Sequence, residues 1–156
     1  MELWELVARE RIRDSIARYN WAGDAGRLEE LTAVFCEDGA LEVKGEEAHH
    51  GRAGILAFLG GTVSDADAAR RRDPGTAGSR RIVRHVLTNT RFLELAVEHA
   101  VVASYFTVFT EVGLDHYGRY RDRFVPVGDE WLIEHRLVST DWRSPDSAMA
   151  RASTPS

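Results

Sequence analysis

His85 stands among β-branched and apolar residues in the run RRIVRHVLTNTRFLEL, Arg80 to Leu95. An imidazole titrates near neutral pH, so on the concave side of a curved sheet it serves as a general acid or base; it reads equally as a hydrogen-bonded core residue. Asn89 lies four residues further on. In a regular strand it shares the face of His85, and a polar amide there needs a partner, from a ligand or from the protein. Tyr19 and Asp24 sit near the end of the first amphipathic segment. A phenol in that place can hydrogen-bond a substrate carbonyl or pack between helix and sheet, and the carboxylate can cap the helix that follows. Tyr105 shares a face with Val101, Ala103, Thr107 and Phe109, which reads as an apolar wall carrying a hydroxyl. Tyr120, Asp122 and Phe124 share a face of the next strand, and Arg136 lies on the last one. An unpaired buried charge is costly, so Asp122 and Arg136 are expected to pair, foremost as a structural ion pair on the sheet's outer face.

Other chemistries find no support in the sequence. The histidines at 49, 50, 99, 116 and 135 lack the close ligand spacing of a zinc site, and no GxGxxG, GxSxG or phosphate-binding loop occurs. No metal or cofactor is therefore expected. Cys36, the single cysteine, falls at the end of an apolar helical stripe and reads as packed; alone it forms no internal disulfide and fits a reducing compartment. A net charge of −5 and a pI near 5.7 argue against a nucleic-acid partner, and the Arg70–Arg72 triplet beside Asp65, Asp67 and Asp73 reads as a solvated helix face. The N-terminal segment is amphipathic, unlike a signal peptide or membrane span, which predicts a cytoplasmic protein without a membrane partner.

The elements that must position these groups follow from periodicity. Leu3, Leu6, Val7, Ile12, Ile16 and Tyr19 mark a helix to about Ala22, and Leu28, Leu31, Val34 and Phe35 mark a second one. Glu37-Asp38-Gly39 predicts a turn into the short strand ALEVKG, and EEAHHG a hairpin tip. GRAGILAFLGG predicts a short helix, 64–72 a polar helix-compatible stretch, and DPGTAGS, residues 73 to 79, a loop that could form a flap. Long antiparallel strands are predicted over 80–95, 98–112, 114–127 and 130–142. Helices first and strands afterwards make an α+β domain of residues 1–142, with 143–156 as a disordered tail.

Three local patterns then carry a family resemblance. Tyr19-x-x-Ala22-x-Asp24 leads through Leu28, Leu31 and Phe35 to Glu37-Asp38-Gly39-Ala40; Arg84-His85-x-x-Thr88-Asn89 follows; and Gly118-Arg119-Tyr120-x-Asp122-x-Phe124 precedes Trp131 and Asp141-Trp142. In this order they resemble the nuclear transport factor 2-like superfamily and, within it, the SnoaL-like and scytalone dehydratase-like branch. The resemblance implies a cone-shaped α+β barrel, a curved antiparallel sheet with N-terminal helices covering its concave face. It further implies a cofactor-independent lyase, isomerase or cyclase in which Asp24 and His85 form the catalytic pair; in such a cavity Tyr19, Asn89, Tyr105 and Tyr120, read from their own types and spacing, are the candidate contacts of a small hydrophobic organic substrate. A non-catalytic small-molecule binding protein of the same fold is the alternative, because one cone hosts several chemistries. A homodimer or higher homo-oligomer is implied as well.

Overall fold

The first helix, α1 (Leu3–Asp24), turns Ala8, Ile12, Ile16 and Tyr19 into the core, while Leu3, Leu6 and Val7 stay exposed. The expected apolar stripe therefore begins one turn later than its composition suggests. In the computed structural model, which describes residues 1–72 and 81–151, α1 is followed by α2 (Leu28–Thr32), β1 (Phe35–Val43), β2 (His49–His50) and α3 (Gly51–Arg72). Then come β3 (Val83–Leu95), β4 (Ala100–Thr110), β5 (Gly113–Val127), β6 (Glu130–Arg143) and α4 (Ala148–Arg151). The six strands form one unclosed curved sheet in the order β2-β1-β6-β5-β4-β3, with β3 and β2 at its two ends. All neighbouring pairs are antiparallel except β1 with β6, which is parallel. The helices cover the concave face, where Ile12 and Ile16 of α1 and Ile55 of α3 meet Phe35, Val102, Phe124 and Ile133 of the sheet.

Several boundaries depart from the sequence reading, each for a local reason. Glu37-Asp38-Gly39 is not a turn leading into a strand: α2 ends at Thr32, β1 already starts at Phe35, and the surplus residues form a bulge, since Phe35 opposes Ile133 while Ala40 opposes His135. The short helix and the polar stretch after it are a single helix, α3, which runs through Gly60-Gly61 without a break. Arg71 and Arg72 lie exposed on it, as a solvated face requires. The loop expected at 73–79 lies outside the described residues.

Strand phase, shifted in places by bulges, decides which residues face inward. On β4 the buried set is Ala100, Val102, Ser104, Phe106 and Val108, so Tyr105, 53% exposed, is on the outer face with Phe109. The wall assigned to Tyr105 is thus the convex side of the sheet. On β6, Ile133 and Arg136 are both fully buried although three residues apart, because Arg123 opposes His135 while Phe124 opposes Ile133, an extra residue absorbed on β6. Gly118 on β5 sits at another such slip: a Cβ there would overlap the Ser139 carbonyl and the Phe106 ring, which only glycine avoids.

Arg136 and Asp122 pair as expected but not on the outer face. Both are buried, with Arg136 Nε donating to Asp122 Oδ1 at 2.8 Å and Nη2 to Oδ2 at 2.7 Å. The guanidinium is sandwiched between the rings of Tyr19 and Tyr120, 4.2 and 4.1 Å from their centroids. Burial works against the charged guanidinium, yet the charge and hydrogen bonds of Asp122 together with Tyr19 and Tyr120 raise the pKa of Arg136 above its ordinary value.

The C-terminal segment is held by polar contacts as well as by Met149, which packs against the cluster of Val83, Phe106, Val108 and Tyr120. Arg143 ends β6, and beyond it Ser147 is fully buried, its hydroxyl donating to Asp115 Oδ1; residues 152–156 of the expected tail lie outside the described residues. Thr110 Oγ1 donates to Asp115 Oδ2 at 2.9 Å, and His116 Nδ1 lies 2.7 Å from Oδ1. Burial pushes the Asp115 carboxyl upward, but these hydrogen bonds from His116, Ser147 and Thr110 hold it below the usual carboxylate range.

Two outcomes follow from these buried carboxylates. Arg136→Met strands Asp122 and should lower stability in urea by about 3–5 kcal/mol, whereas Asp122→Leu/Arg136→Met should recover most of that loss. A lowered folded pKa gives Asp115 a stabilisation that is complete above the unfolded value of about 4 and fades as pH falls through the folded value. The difference in Tm between the wild-type protein and Asp115→Asn should therefore shrink as pH falls from neutral into the acid range through the lowered folded value of Asp115.

Candidate active site

Asp24 is the last residue of α1, not the cap of the next helix; Arg27 holds that capping position without a side-chain bond. Gly26, at φ 74°, reverses the chain just after it, and Arg27 N–H returns to the Ala22 carbonyl. A carboxylate at this end of a helix meets the negative pole of the helix dipole, a local conflict that requires compensation. The compensation comes from His85. Its backbone N–H donates to Asp24 Oδ2 at 2.9 Å, and its Nδ1 lies 2.6 Å from Oδ1. β3 is the terminal strand of the sheet, so N–H groups on its outer side have no strand to bond, and Asp24 satisfies one of them.

This arrangement fixes the ring. An ionised carboxylate only accepts, so the Nδ1 proton points at Asp24 and the neutral imidazole keeps its lone pair on Nε2. The two side chains are mostly enclosed, His85 at 17% and Asp24 at 13% exposure, yet both line an open cleft of about 910 Å³. That volume suits a small organic molecule.

One wall of the cleft is a stripe of α1: Arg13, Ile16, Ala17, Asn20 and Trp21 lead up to Asp24. The opposite wall is β3, with Arg84, His85, Leu87 and Thr90. Thr90 takes the place expected for Asn89. Asn89 has φ 55°, a left-handed conformation that asparagine tolerates, and a bulge there sets Thr88 opposite Tyr105 but Arg91 opposite Ala103. The alternation slips by one, so Asn89 is exposed and Thr90 faces the cleft.

The other expected contacts divide differently. Tyr19 and Tyr120 are buried, at 7% and 4% exposure, and do not line the cleft; their rings clasp Arg136, and Tyr120 stacks on Phe106. Burial pushes both phenols upward from their ordinary pKa. Tyr105, on the convex face, is remote from the cleft. Cys36 is buried, and burial pushes its thiol up, away from reactivity. Among the described residues no group of three or more His, Cys, Asp or Glu side chains could hold a metal ion, and no helix is long and apolar enough to cross a membrane. Asn20, Arg13 and Ala17 escaped the sequence reading, although counting back from Asp24 at helical spacing reaches all three.

Comparison with known proteins agrees with this architecture. A family model described as the SnoaL-like domain matches residues 4–137. No curated protein matches the chain in sequence. Among solved structures, an NTF2-like protein with a cystatin-like fold from Novosphingobium aromaticivorans shares 24% identity over 96% of this chain and 91% of that one, with a TM-score of 0.69. A scytalone dehydratase-like protein of the same organism shares 21% identity over 89% and 87% of the two chains, TM-score 0.69. A Catenulispora acidiphila structure in complex with S-DNPA shares 24% identity over 85% and 92%, TM-score 0.66. These likenesses carry the fold, and the family match over residues 4–137 carries the identity: the chain belongs to the SnoaL-like domain family.

Proposed function

We propose that this protein is a cofactor-independent acid–base enzyme, a lyase of dehydratase type or a related isomerase or cyclase, acting on a small hydrophobic molecule in the α1–β3 cleft. One observation carries the reading: a single carboxylate, Asp24, receives both the backbone N–H and the Nδ1 side of His85, which leaves Nε2 as the free base beside the open α1–β3 cleft. The likeness to a scytalone dehydratase-like protein and to a structure holding a bound ligand supports the same reading.

In the elimination, Nε2 takes a proton from carbon next to a carbonyl, and the C–H electron pair passes into that carbonyl as an enolate. The enolate electrons then form the C=C bond and expel the β-hydroxyl, which leaves as water after taking the proton from Nε2. Asp24 stabilises the imidazolium between the two steps, and the catalyst ends as it began. If the proton returns instead to a different carbon, the same pair performs an isomerisation; if the enolate attacks an internal carbonyl, it closes a ring.

The homodimer implied by the family resemblance belongs to this proposal too. Tyr117 stacks on Trp142 at 5.5 Å on the convex face, beside exposed Tyr105 and Phe109, and this apolar patch fits a second copy of the chain.

With a substrate in hand, His85→Gln and Asp24→Asn should each lower kcat by at least about a hundredfold while circular dichroism and Tm show a folded domain, since positioned proton transfer supplies that scale of acceleration. Full turnover in a folded His85→Gln protein rejects catalysis, and retained ligand affinity without any turnover in the wild-type protein makes the cleft a carrier site. Light scattering should give twice the chain mass, falling to one chain for Trp142→Lys; an unchanged mass for that variant rejects the convex-face dimer.

A further inference from the structure

The helix and the strand that wall the cleft run in opposite directions, and two contacts fix their alignment. At one end Arg13 of α1 lies 5.3 Å from the ring of Phe92 on β3; at the other Asp24 meets His85. Asn20 stands four residues before Asp24, on the same helical face and about 6 Å back along the axis. Leu87 stands two residues beyond His85, about 7 Å along the strand, and lines the same cleft. The two therefore face each other one step below the pair, an amide against an apolar side chain.

Nothing on the facing wall can satisfy that amide. Asn20 is 8% exposed, and its Oδ1 is buried without a hydrogen-bond partner. An enclosed amide that pairs poorly costs free energy, whereas leucine, of nearly the same shape, would not. The chain thus carries an unfavourable residue directly beside the base, and the residue brings two N–H donors on Nδ2. The proposed reaction calls for a donor there. Taking a proton from carbon next to a carbonyl places negative charge on the carbonyl oxygen, and Asp24, with both oxygens on His85, cannot receive it. Other donors of the walls stand elsewhere: Arg13 at the far end, Trp21 exposed at the rim, and Arg84 exposed and turned to the Val83 carbonyl at 2.7 Å. Arg27 and Arg81 face the carboxylates of Glu30 and Asp67 at 2.8 and 3.7 Å.

We infer that Asn20 is a further catalytic residue: its Nδ2 donates to the carbonyl oxygen of the substrate and stabilises the enolate that His85 creates. The inference rests on the acid–base reading above and deepens it by assigning the group that meets the developing charge. As Nε2 takes the proton, the C–H electron pair moves into the carbonyl and its oxygen becomes anionic. The hydrogen bond from Nδ2 strengthens at that moment, and no proton leaves Asn20. A donor fixed in an enclosed place needs no reorganisation when the charge appears, which is why it acts more strongly than water. The substrate binds with its carbonyl oxygen below the pair, on the α1 wall, and with the acidic C–H level with His85.

Two probes test this: 2-tetralone, whose C–H bonds beside the ketone exchange with deuterated water through the enolate, and 2-naphthol, the stable flat counterpart of its enol. Proton NMR follows the exchange in the wild-type protein, His85→Gln, Asn20→Leu and Asn20→Ala. Exchange above the buffer rate should vanish in His85→Gln and fall about a hundredfold in both Asn20 variants, the scale of losing one donor to an oxyanion. The Tm of Asn20→Leu should match or exceed that of the wild-type protein, which a merely structural role for the amide would not allow. In the proton–nitrogen correlation spectrum the side-chain amide signals missing from Asn20→Leu identify Asn20, and one of them should move downfield when 2-naphthol is added. Exchange that is little changed in the Asn20 variants, or an amide unmoved at millimolar 2-naphthol, overturns the inference. An amide that moves while the wild-type protein promotes no exchange rejects the acid–base reading and leaves Asn20 a binding contact. His85-dependent exchange that survives in both Asn20 variants rejects only the role of Asn20.

Discussion

A guanidinium with no solvent around it is the constraint on which this fold depends. Arg136 reaches the interior from β6, and leaving it there uncompensated would cost more than the whole domain gains by folding. Three side chains from two elements answer it together: β5 supplies the carboxylate of Asp122 and the ring of Tyr120, and α1 the ring of Tyr19. The helix can satisfy the charge only if it lies across the concave face at one depth. That placement in turn sets the phase of α1, and the phase sends Asp24 toward the edge of the sheet, where β3 waits with His85. An interaction deep in the core thereby fixes a pair near the surface.

The pair is a place where local preference and global structure disagree. A carboxylate in the last turn of a helix and an N–H on the free edge of a sheet are each unfavourable alone. Here each resolves the other. Such mutual compensation is costly to arrange for packing alone, and the open cleft beside it gives the arrangement something to act upon.

Much of this was legible in the sequence because it depends on pattern. The change from helical to alternating periodicity gave the α+β order, and paired charges in buried strands gave Asp122 with Arg136. What escaped was phase. A strand's two faces differ by a single residue, so one bulge at Asn89 is enough to exchange it for Thr90, and Tyr105 fell on the convex side because both faces of β4 are largely apolar. Tyr19 and Tyr120 look like substrate contacts by residue type; only the position of Arg136 shows that their rings are already taken. The ordering of Ser147 by Asp115 was invisible for a different reason, since a serine in a small-residue tail carries no periodic signal at all.

The clamp at β3 also bears on how such a protein can change over generations. Because one carboxylate holds both the ring and the backbone of His85, replacing Asp24 would loosen a strand as well as a base. The wall residues around it, Ala17, Asn20 and Thr90, bridge no strand to a helix as Asp24 does and can vary at smaller structural cost. New substrates would then be acquired by repainting the walls around a fixed hinge of carboxylate and imidazole, so that divergence in what is bound runs ahead of divergence in how it is handled.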